Sequence, residues 1–134
     1  LGVGSEANVR ALRQEHRDAI VQASIPQTML LAHTDVFINH GGMNSINEAL
    51  ARGVPQLLIP HSKDQYVNAE RVRYLGVGRT LRKQDVTAAH LRTEVLDLVF
   101  DSQTRHRCEQ MRASFRDCIG EQGMVETILA RIST

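Results

Sequence analysis

The side chains best suited to chemistry lie in one stretch, FINHGGMNSINEAL, at residues 37–50. A short apolar run ends in a histidine, two glycines follow, and a run of helix-forming residues begins. Gly41 and Gly42 let the backbone turn sharply and expose its N–H groups, and the first N–H groups of a helix carry the positive end of its dipole. Such a turn favours an anion, above all a phosphate. The polar side chains beside it are those of His40, Asn44, Ser45 and Glu48.

Part of this stretch also has a purely structural interpretation. Ser45 and Glu48 have the spacing of a capping box, in which each side chain satisfies a backbone N–H group if the helix begins near Ser45. For these two residues alone, capping and ligand contact both stay open. A lone histidine at a strand end more often has a structural role. Capping does not account for the glycine pair together with Asn44, nor for Asp64 and Gln65 further along.

A second glycine-containing segment, GVGSEA at residues 2–7, matches the loose form of the dinucleotide-binding fingerprint. No complete strand precedes it, and no helix clearly begins at its end. We therefore interpret it as a chance match or a loop with two glycines.

The elements around the turn follow from the alternation of apolar runs and helix formers. Strands are predicted at 18–24, 35–40, 54–60 and 77–81, and helices at 25–33, 45–53, 64–76, 86–100, 104–118 and 122–132, the fourth with Asp85 as its N-cap. Strands and helices that alternate with short connections predict an α/β fold, a Rossmann-like parallel sheet flanked by helices. Ligands bind such sheets at the carboxyl ends of the strands, where His40 is placed.

Composition limits the classes of function. The chain has 134 residues, 42% of them hydrophobic, which suits one domain spanning 1–134. A net charge of +1 without a basic cluster argues against a nucleic-acid partner. No apolar run approaches the roughly 18–20 residues of a membrane span. Cys108 and Cys118 lack the spacing of a metal site and predict reduced thiols in a cytoplasmic protein.

Over residues 20–81 the chain resembles the donor-binding half of family 1 glycosyltransferases, which include macrolide-type and plant natural-product enzymes. The residues that carry the resemblance are IPQ, HGGMNSINEALARGVPQLLIP and DQYVNAERVRYLGVG. The resemblance implies the C-terminal half of a GT-B fold. It also implies that the first strand–helix unit of the domain and the whole N-terminal acceptor domain are missing, which would leave one side of the sheet exposed.

The resemblance assigns the nucleoside to three positions. The Ile25 backbone would pair with the base, Gln27 would contact the ribose or the base, and Glu48 would accept hydrogen bonds from the ribose hydroxyls. Many relatives carry a tryptophan that stacks on the base where this chain has Ser24, and the chain contains no tryptophan. The base must then be stacked by another group or held more weakly.

The resemblance assigns the diphosphate to the turn itself. His40, Asn44 and Ser45 would hold the diphosphate, and Gly42 would let it approach the helix. The hydroxyls of the transferred sugar would be held by Asp64 and Gln65. By themselves these last two residues also fit a helix N-cap at Asp64 with an exposed neighbour.

The function implied is donor binding for an inverting transfer of a hexosyl group from a UDP- or TDP-sugar to a hydroxyl of a small-molecule acceptor. The general base would lie in the acceptor domain, so no catalytic residue is expected in this chain. No Asp-x-Asp motif occurs, so neither a metal nor a cofactor is expected. The expected partners are a nucleotide-sugar, a small-molecule acceptor, and an N-terminal acceptor domain or partner chain.

Two alternatives stay open. The chain could be a stand-alone donor-binding subunit that requires a partner chain. It could also be a relative of nucleotide-sugar 2-epimerases with the same fold, although those enzymes need an acid–base pair of carboxylates and only Asp64 is a candidate here.

Overall fold

The computed structural model describes residues 6–15 and 17–120, and the chain divides into two units, 1–33 and 34–134. The helices are α1 (Glu6–Glu15), α2 (Gln27–Leu31), α3 (Met43–Arg52), α4 (Lys63–Leu75), α5 (Ala88–Phe100) and α6 (Ser102–Gly120). The strands are β1 (Phe37–Asn39), β2 (Gln56–Leu58) and β3 (Gly78–Thr80), followed by a 3₁₀ turn, Lys83–Asp85. The predicted alternation of strands and helices is confirmed from β1 to β3.

The first unit differs from the prediction at two places. The strand expected at 18–24 is wrong, because the segment consists of turns and bends with a single bridging residue, Gln22. Of its two large apolar residues, Val21 is buried and Ile20 is 78% exposed. Helix α1 begins at Glu6, so a helix does begin at the end of the 2–7 segment, whose two glycines lie outside the described residues. Helix α2 confirms the helix expected within 25–33.

The second unit is built on a parallel sheet of order β1-β2-β3. In register, Phe37 pairs with Gln56 and Gln56 pairs with Gly78. β2 is central and buried along its whole length, as expected for a strand covered on both faces. Because the strands are parallel, their carboxyl ends lie at the same edge of the sheet. The last residues of the strands are Asn39, Leu58 and Thr80. The predicted fold class is confirmed.

The helix ends follow local backbone rules. α3 and α4 end at Gly53 and Gly76, both left-handed with φ of 69° and 71°, as the sequence predicted. The N-cap predicted for α5 is wrong, because the Thr87 hydroxyl accepts a hydrogen bond from the His90 N–H at 3.1 Å. Asp85 instead ends the 3₁₀ turn, where Arg82 binds its carboxylate at 2.7 Å.

The core of the second unit lies between the sheet, α3, α4 and α6. It consists of Ile46, Leu50, Leu58, Ala69, Val72, Val77 and Cys108, with Met111 and Phe115 packed against it. Helix α6 contains the helix predicted at 104–118, whereas the one at 122–132 lies outside the described residues. The Cys108 thiol is free and donates to the Val77 carbonyl at 3.7 Å. Burial raises its pKa to about 11, so it stays protonated at neutral pH.

Candidate functional site

The turn after β1 is held by hydrogen bonds to both backbone polar groups of Gly41. Gly41 has φ of +93°, a conformation that favours glycine. Its N–H donates to the Asn39 side-chain oxygen at 2.8 Å, and its carbonyl accepts from the Asn68 amide at 2.9 Å. A Cβ at Gly41 would lie 3.1 Å from the Gln65 carbonyl oxygen. The expectation that both glycines expose their N–H groups is therefore wrong for Gly41, whose N–H is already used.

Helix α3 begins with open backbone donors. Its N-cap is Gly42, which has extended backbone angles and offers no side-chain cap, and the first helical hydrogen bond runs from Ile46 N to Gly42 O at 3.0 Å. Among the residues that the structure describes, none accepts from the N–H groups of Gly42, Met43 or Asn44. Since these groups carry the positive end of the helix dipole, this end of α3 is suited to an anion.

The early start of α3 decides between the two interpretations of Ser45 and Glu48. With Met43 as the first helical residue, Ser45 lies inside the first turn and Glu48 in the second. A capping box requires Ser45 at the N-cap, so that interpretation is wrong. Both side chains are half-buried on α3, and Asn44 is exposed at its start.

A histidine and an amide stand beside this helix end. The exposed His40 follows β1 directly, and its Nδ1 lies 3.2 Å from the Gln65 Nε2 atom. The Gln65 Oε1 atom accepts from the backbone N–H groups of His61 at 2.8 Å and Ser62 at 3.2 Å. A Cβ on Gly42 would lie only 2.9 Å from the His40 Cε1 atom, so the ring occupies space that a glycine leaves open.

The N-cap of helix α4 is not the residue that the sequence suggested. Its N-cap is Ser62, and Gln65 supplies the capping oxygen, so Asp64 is not the cap. Asp64 is exposed in the first turn of α4, next to Gln65.

Two amide side chains, one buried and one half-buried, connect the turn to the rest of the sheet. Gln56 is fully buried in the central strand. Its Oε1 atom accepts from the Asn39 side-chain N–H group at 3.1 Å, and its Nε2 atom donates to the Ile46 carbonyl at 3.4 Å. Because Asn39 in turn binds the Gly41 N–H, a continuous chain of hydrogen bonds links β2, β1, the turn and α3.

A cavity of about 370 Å³ opens beside the turn at the carboxyl edge of the sheet. It is lined by Ile38, Asn39, His40, Ile59, His61, Lys83 and Val86. The structure thus brings His40 and Gln65 together near the N-terminus of α3, which carries Asn44, Ser45 and Glu48, with Asp64 beside Gln65. Ile25 and Gln27 belong to the first unit, where Gln27 begins α2.

Sequence reasoning missed four residues that shape the site: Asn39, Gln56, Asn68 and Lys83. Gln56 could have been noticed as the polar residue in the apolar run VPQLLIP, and Asn68 as part of the DQYVNA motif. No sequence signal marks Lys83, because its place depends on how the 3₁₀ turn packs.

Two searches of the described part of the chain were negative. Within residues 6–15 and 17–120, no three metal-binding side chains are grouped to hold an ion. No helix in the same ranges is long and apolar enough to cross a membrane.

The parallel sheet, the His-Gly-Gly turn at its carboxyl edge and the helix that follows are the features expected of a GT-B glycosyltransferase domain from the resemblance. Comparison with known proteins agrees. The family described as Erythromycin biosynthesis protein CIII-like, C-terminal domain, matches residues 4–119, and the chain belongs to this family.

Individual relatives support the same conclusion. The chain is 33% identical over 128 residues to an uncharacterized UDP-glucosyltransferase, YdhE, of Bacillus subtilis, covering 96% of this chain and 32% of that protein. It is 29% identical over 132 residues to the oleandomycin glycosyltransferase of Streptomyces antibioticus, covering 98% and 31%. The chain therefore spans about a third of the length of these curated relatives.

A solved structure gives the same fold. The glycotransferase of kitacinnamycin superposes with a TM-score of 0.74 at 35% identity, over 84% of this chain and 29% of that one. The resemblance read from the sequence and the GT-B fold class are confirmed.

Proposed function

We propose that this chain is the donor-binding part of a glycosyltransferase that moves a hexosyl group from a UDP- or TDP-sugar to a hydroxyl of a small molecule. Its relatives include an enzyme named for the macrolide oleandomycin, which supports a natural-product acceptor. The nucleotide-sugar, the acceptor and an acceptor-binding domain or partner chain are the proposed partners. A reduced Cys108 suits the cytoplasm as the proposed compartment.

One observation carries this proposal: the open N-terminus of α3 lies directly beside the exposed His40 ring. The N–H groups of Met43 and Asn44 supply fixed donors, and the His40 ring can add another. A diphosphate bound here would accept several hydrogen bonds from donors that need no rearrangement.

The same donors suggest how the leaving group is stabilised. When the acceptor hydroxyl attacks the anomeric carbon from the opposite face, the bond to the diphosphate breaks and negative charge develops on its oxygen. A preorganised helix end and the His40 ring would stabilise that charge at the position where it forms. The proposed transfer is therefore inverting and needs no metal ion. The base that removes the acceptor proton is assigned to the acceptor domain.

Glu48 is the proposed ribose ligand. It lies one turn beyond the diphosphate donors on α3, and it is not a capping residue. A carboxylate accepts hydrogen bonds from two neighbouring hydroxyls, which favours ribose over deoxyribose. Asp64, exposed at the start of α4, is the proposed ligand for a hydroxyl of the sugar.

The proposal is tested by calorimetric titration of UDP into the chain and into Glu48→Gln. We expect weak, saturable binding to the parent chain. The variant should bind about 5-fold more weakly, because a neutral acceptor loses about 1 kcal/mol of a charge-assisted hydrogen bond. Thermal unfolding of both proteins is recorded alongside. Titration with 2′-deoxy-UDP tests the ribose contact directly. Because this ligand has one ribose hydroxyl fewer, its affinity should fall less on Glu48→Gln than the affinity of UDP does.

Glu109→Gln is the matched control. It makes the same chemical change at an exposed glutamate of α6 that pairs with Arg112 at 3.2 Å, and UDP should bind it like the parent. Absence of UDP binding to the parent chain would contradict the proposed function. Unchanged affinity with a lower melting temperature in Glu48→Gln would remove Glu48 from the site.

A further inference from the structure

The Gln65 amide has a fixed orientation. Its Oε1 atom faces the backbone N–H groups of His61 and Ser62 at 2.8 Å and 3.2 Å. Backbone N–H groups can only donate, so the atom facing them must be the oxygen and not the nitrogen. The usual ambiguity between the two ends of a glutamine amide is thereby removed.

This orientation determines what His40 can do. The Gln65 Nε2 atom, which can only donate, lies 3.2 Å from the His40 Nδ1 atom. Nδ1 must then accept, so the single ring hydrogen of the neutral imidazole lies on Nε2. An imidazole whose Nδ1 is occupied in this way has its other nitrogen available as a donor.

We propose that Gln65 is a positioning residue of the donor site, which fixes His40 as the Nε2–H tautomer and thereby makes it a hydrogen-bond donor toward a diphosphate. This inference rests on the proposed function for the identity of the ligand, although the tautomer itself needs no ligand. It changes the role that the sequence indicated for Gln65. Three of the four hydrogen-bonding positions of its amide are already used within the protein, which leaves one N–H hydrogen for a sugar hydroxyl.

The turn supports this arrangement from the other side. His40 lies against Gly42, and Gly41 is held by Asn39 and Asn68, so the backbone that carries the ring is fixed. Asn68 lies in the same helix as Gln65, three residues on. Helix α4 therefore orients both the ring and the turn, which explains why its first residues belong to the site without all contacting a ligand.

The test is a long-range ¹H–¹⁵N NMR spectrum of the chain labelled at histidine nitrogens, recorded without ligand at pH 8. The six histidines require an assignment, which the spectrum of His40→Asn provides by the loss of one set of signals. We expect Nδ1 of His40 at the shift of an unprotonated ring nitrogen and Nε2 at that of a protonated one. The opposite pattern in the parent chain would overturn the proposal.

Gln65→Glu reverses the polarity of the contact and keeps the helix cap, because a carboxylate also accepts from the Ser62 N–H. It can only accept from His40, so the Nδ1 signal should move to the protonated position. Gln110→Glu, the same change at an exposed residue of α6, should leave the His40 signals unchanged. A Gln65→Glu spectrum identical to the parent spectrum would also overturn the proposal.

Addition of UDP separates this inference from the proposed function. If the proposed function and the role of Gln65 are both correct, UDP shifts the Nε2 resonance of His40, and Nδ1 keeps the chemical shift of an unprotonated nitrogen. If the tautomer is as expected but UDP changes no His40 signal, the positioning role stands and the proposed ligand is wrong. If UDP binds and Nδ1 carries the hydrogen, the proposed function stands and the inference about Gln65 is wrong.

Discussion

Replacing Gly42 by alanine changes the position of the His40 ring with little change elsewhere. Gly42 has φ of −66° and ψ of 138°, which alanine adopts without strain. Alanine is a poorer N-cap than glycine, so the fold should lose about 1 kcal/mol and a few degrees in melting temperature. The new Cβ would lie 2.9 Å from the His40 Cε1 atom.

The steric contact sets the size of the effect on binding. Carbon atoms in contact prefer about 3.5–4.0 Å, so the ring must move by about 0.6–1.1 Å. A hydrogen bond from the ring to a phosphate oxygen would then exceed the distance at which such bonds form. Loss of one hydrogen bond to a charged group costs about 1.5–3 kcal/mol, which corresponds to roughly 10- to 150-fold weaker UDP binding.

The assay is calorimetric titration of UDP together with thermal unfolding. Thr87→Ala is the matched control, because it removes the hydroxyl cap of α5 at similar cost in stability, and that hydroxyl bonds to the His90 N–H group. We expect Thr87→Ala to lower the melting temperature like Gly42→Ala and to bind UDP like the parent. If Gly42→Ala also binds UDP within about 3-fold of the parent, His40 does not contact the diphosphate and the reasoning from the turn is refuted.

Two further predictions concern the stability and reactivity of the fold. Hydrogen bonds from the Thr104 side chain and backbone, with a smaller contribution from Arg79, lower the pKa of Asp101. The ionised Asp101 carboxylate therefore stabilises the fold fully above the ordinary carboxyl pKa of about 4. This stabilisation is lost as the pH falls through the lowered pKa. Asp101→Asn keeps an oxygen that can accept from the backbone N–H groups of Gln103 and Thr104. It should therefore melt below the parent at pH 7, and the difference in melting temperature should disappear on acidification. A difference independent of pH would contradict this. Burial raises the pKa of Cys108 to about 11, so this thiol should resist alkylation by iodoacetamide at pH 7.5 and react only after denaturation. Peptide mass mapping measures the alkylation. Equal rates in the native and denatured chain would show that the thiol is accessible.

The sequence predicts most of the strands and helices of this domain because the residues that mark their ends lie within or next to each element. Pro55 and Pro60 bracket β2, and Gly53 and Gly76 end α3 and α4 in the left-handed conformation. The position of His40 after a short strand follows from the same reading. The start of α3 was misplaced because Ser45 is the better cap by residue type, whereas the extended backbone at Gly42 decides the actual start.

The contacts that orient the site depend on tertiary placement and have no local signal. Gln65, in α4, and His40, which follows β1, are 25 residues apart. Nothing in either segment shows that one amide contacts both a helix cap and a ring nitrogen. Motif matching gives Gln65 a direct role toward the sugar, and only the geometry of the amide shows that most of its hydrogen-bonding positions are occupied within the protein.

The fully buried Gln56 shows why such contacts need a supporting structure. An unsatisfied polar group in a central strand costs about 1–3 kcal/mol, and a leucine there would suit the neighbouring Leu57 and Leu58. Gln56 avoids this cost by binding Asn39 and the Ile46 carbonyl. It thereby holds the Asn39 amide with its oxygen toward the Gly41 N–H. The polar residue in the sheet therefore helps to orient the turn that we propose to bind the diphosphate.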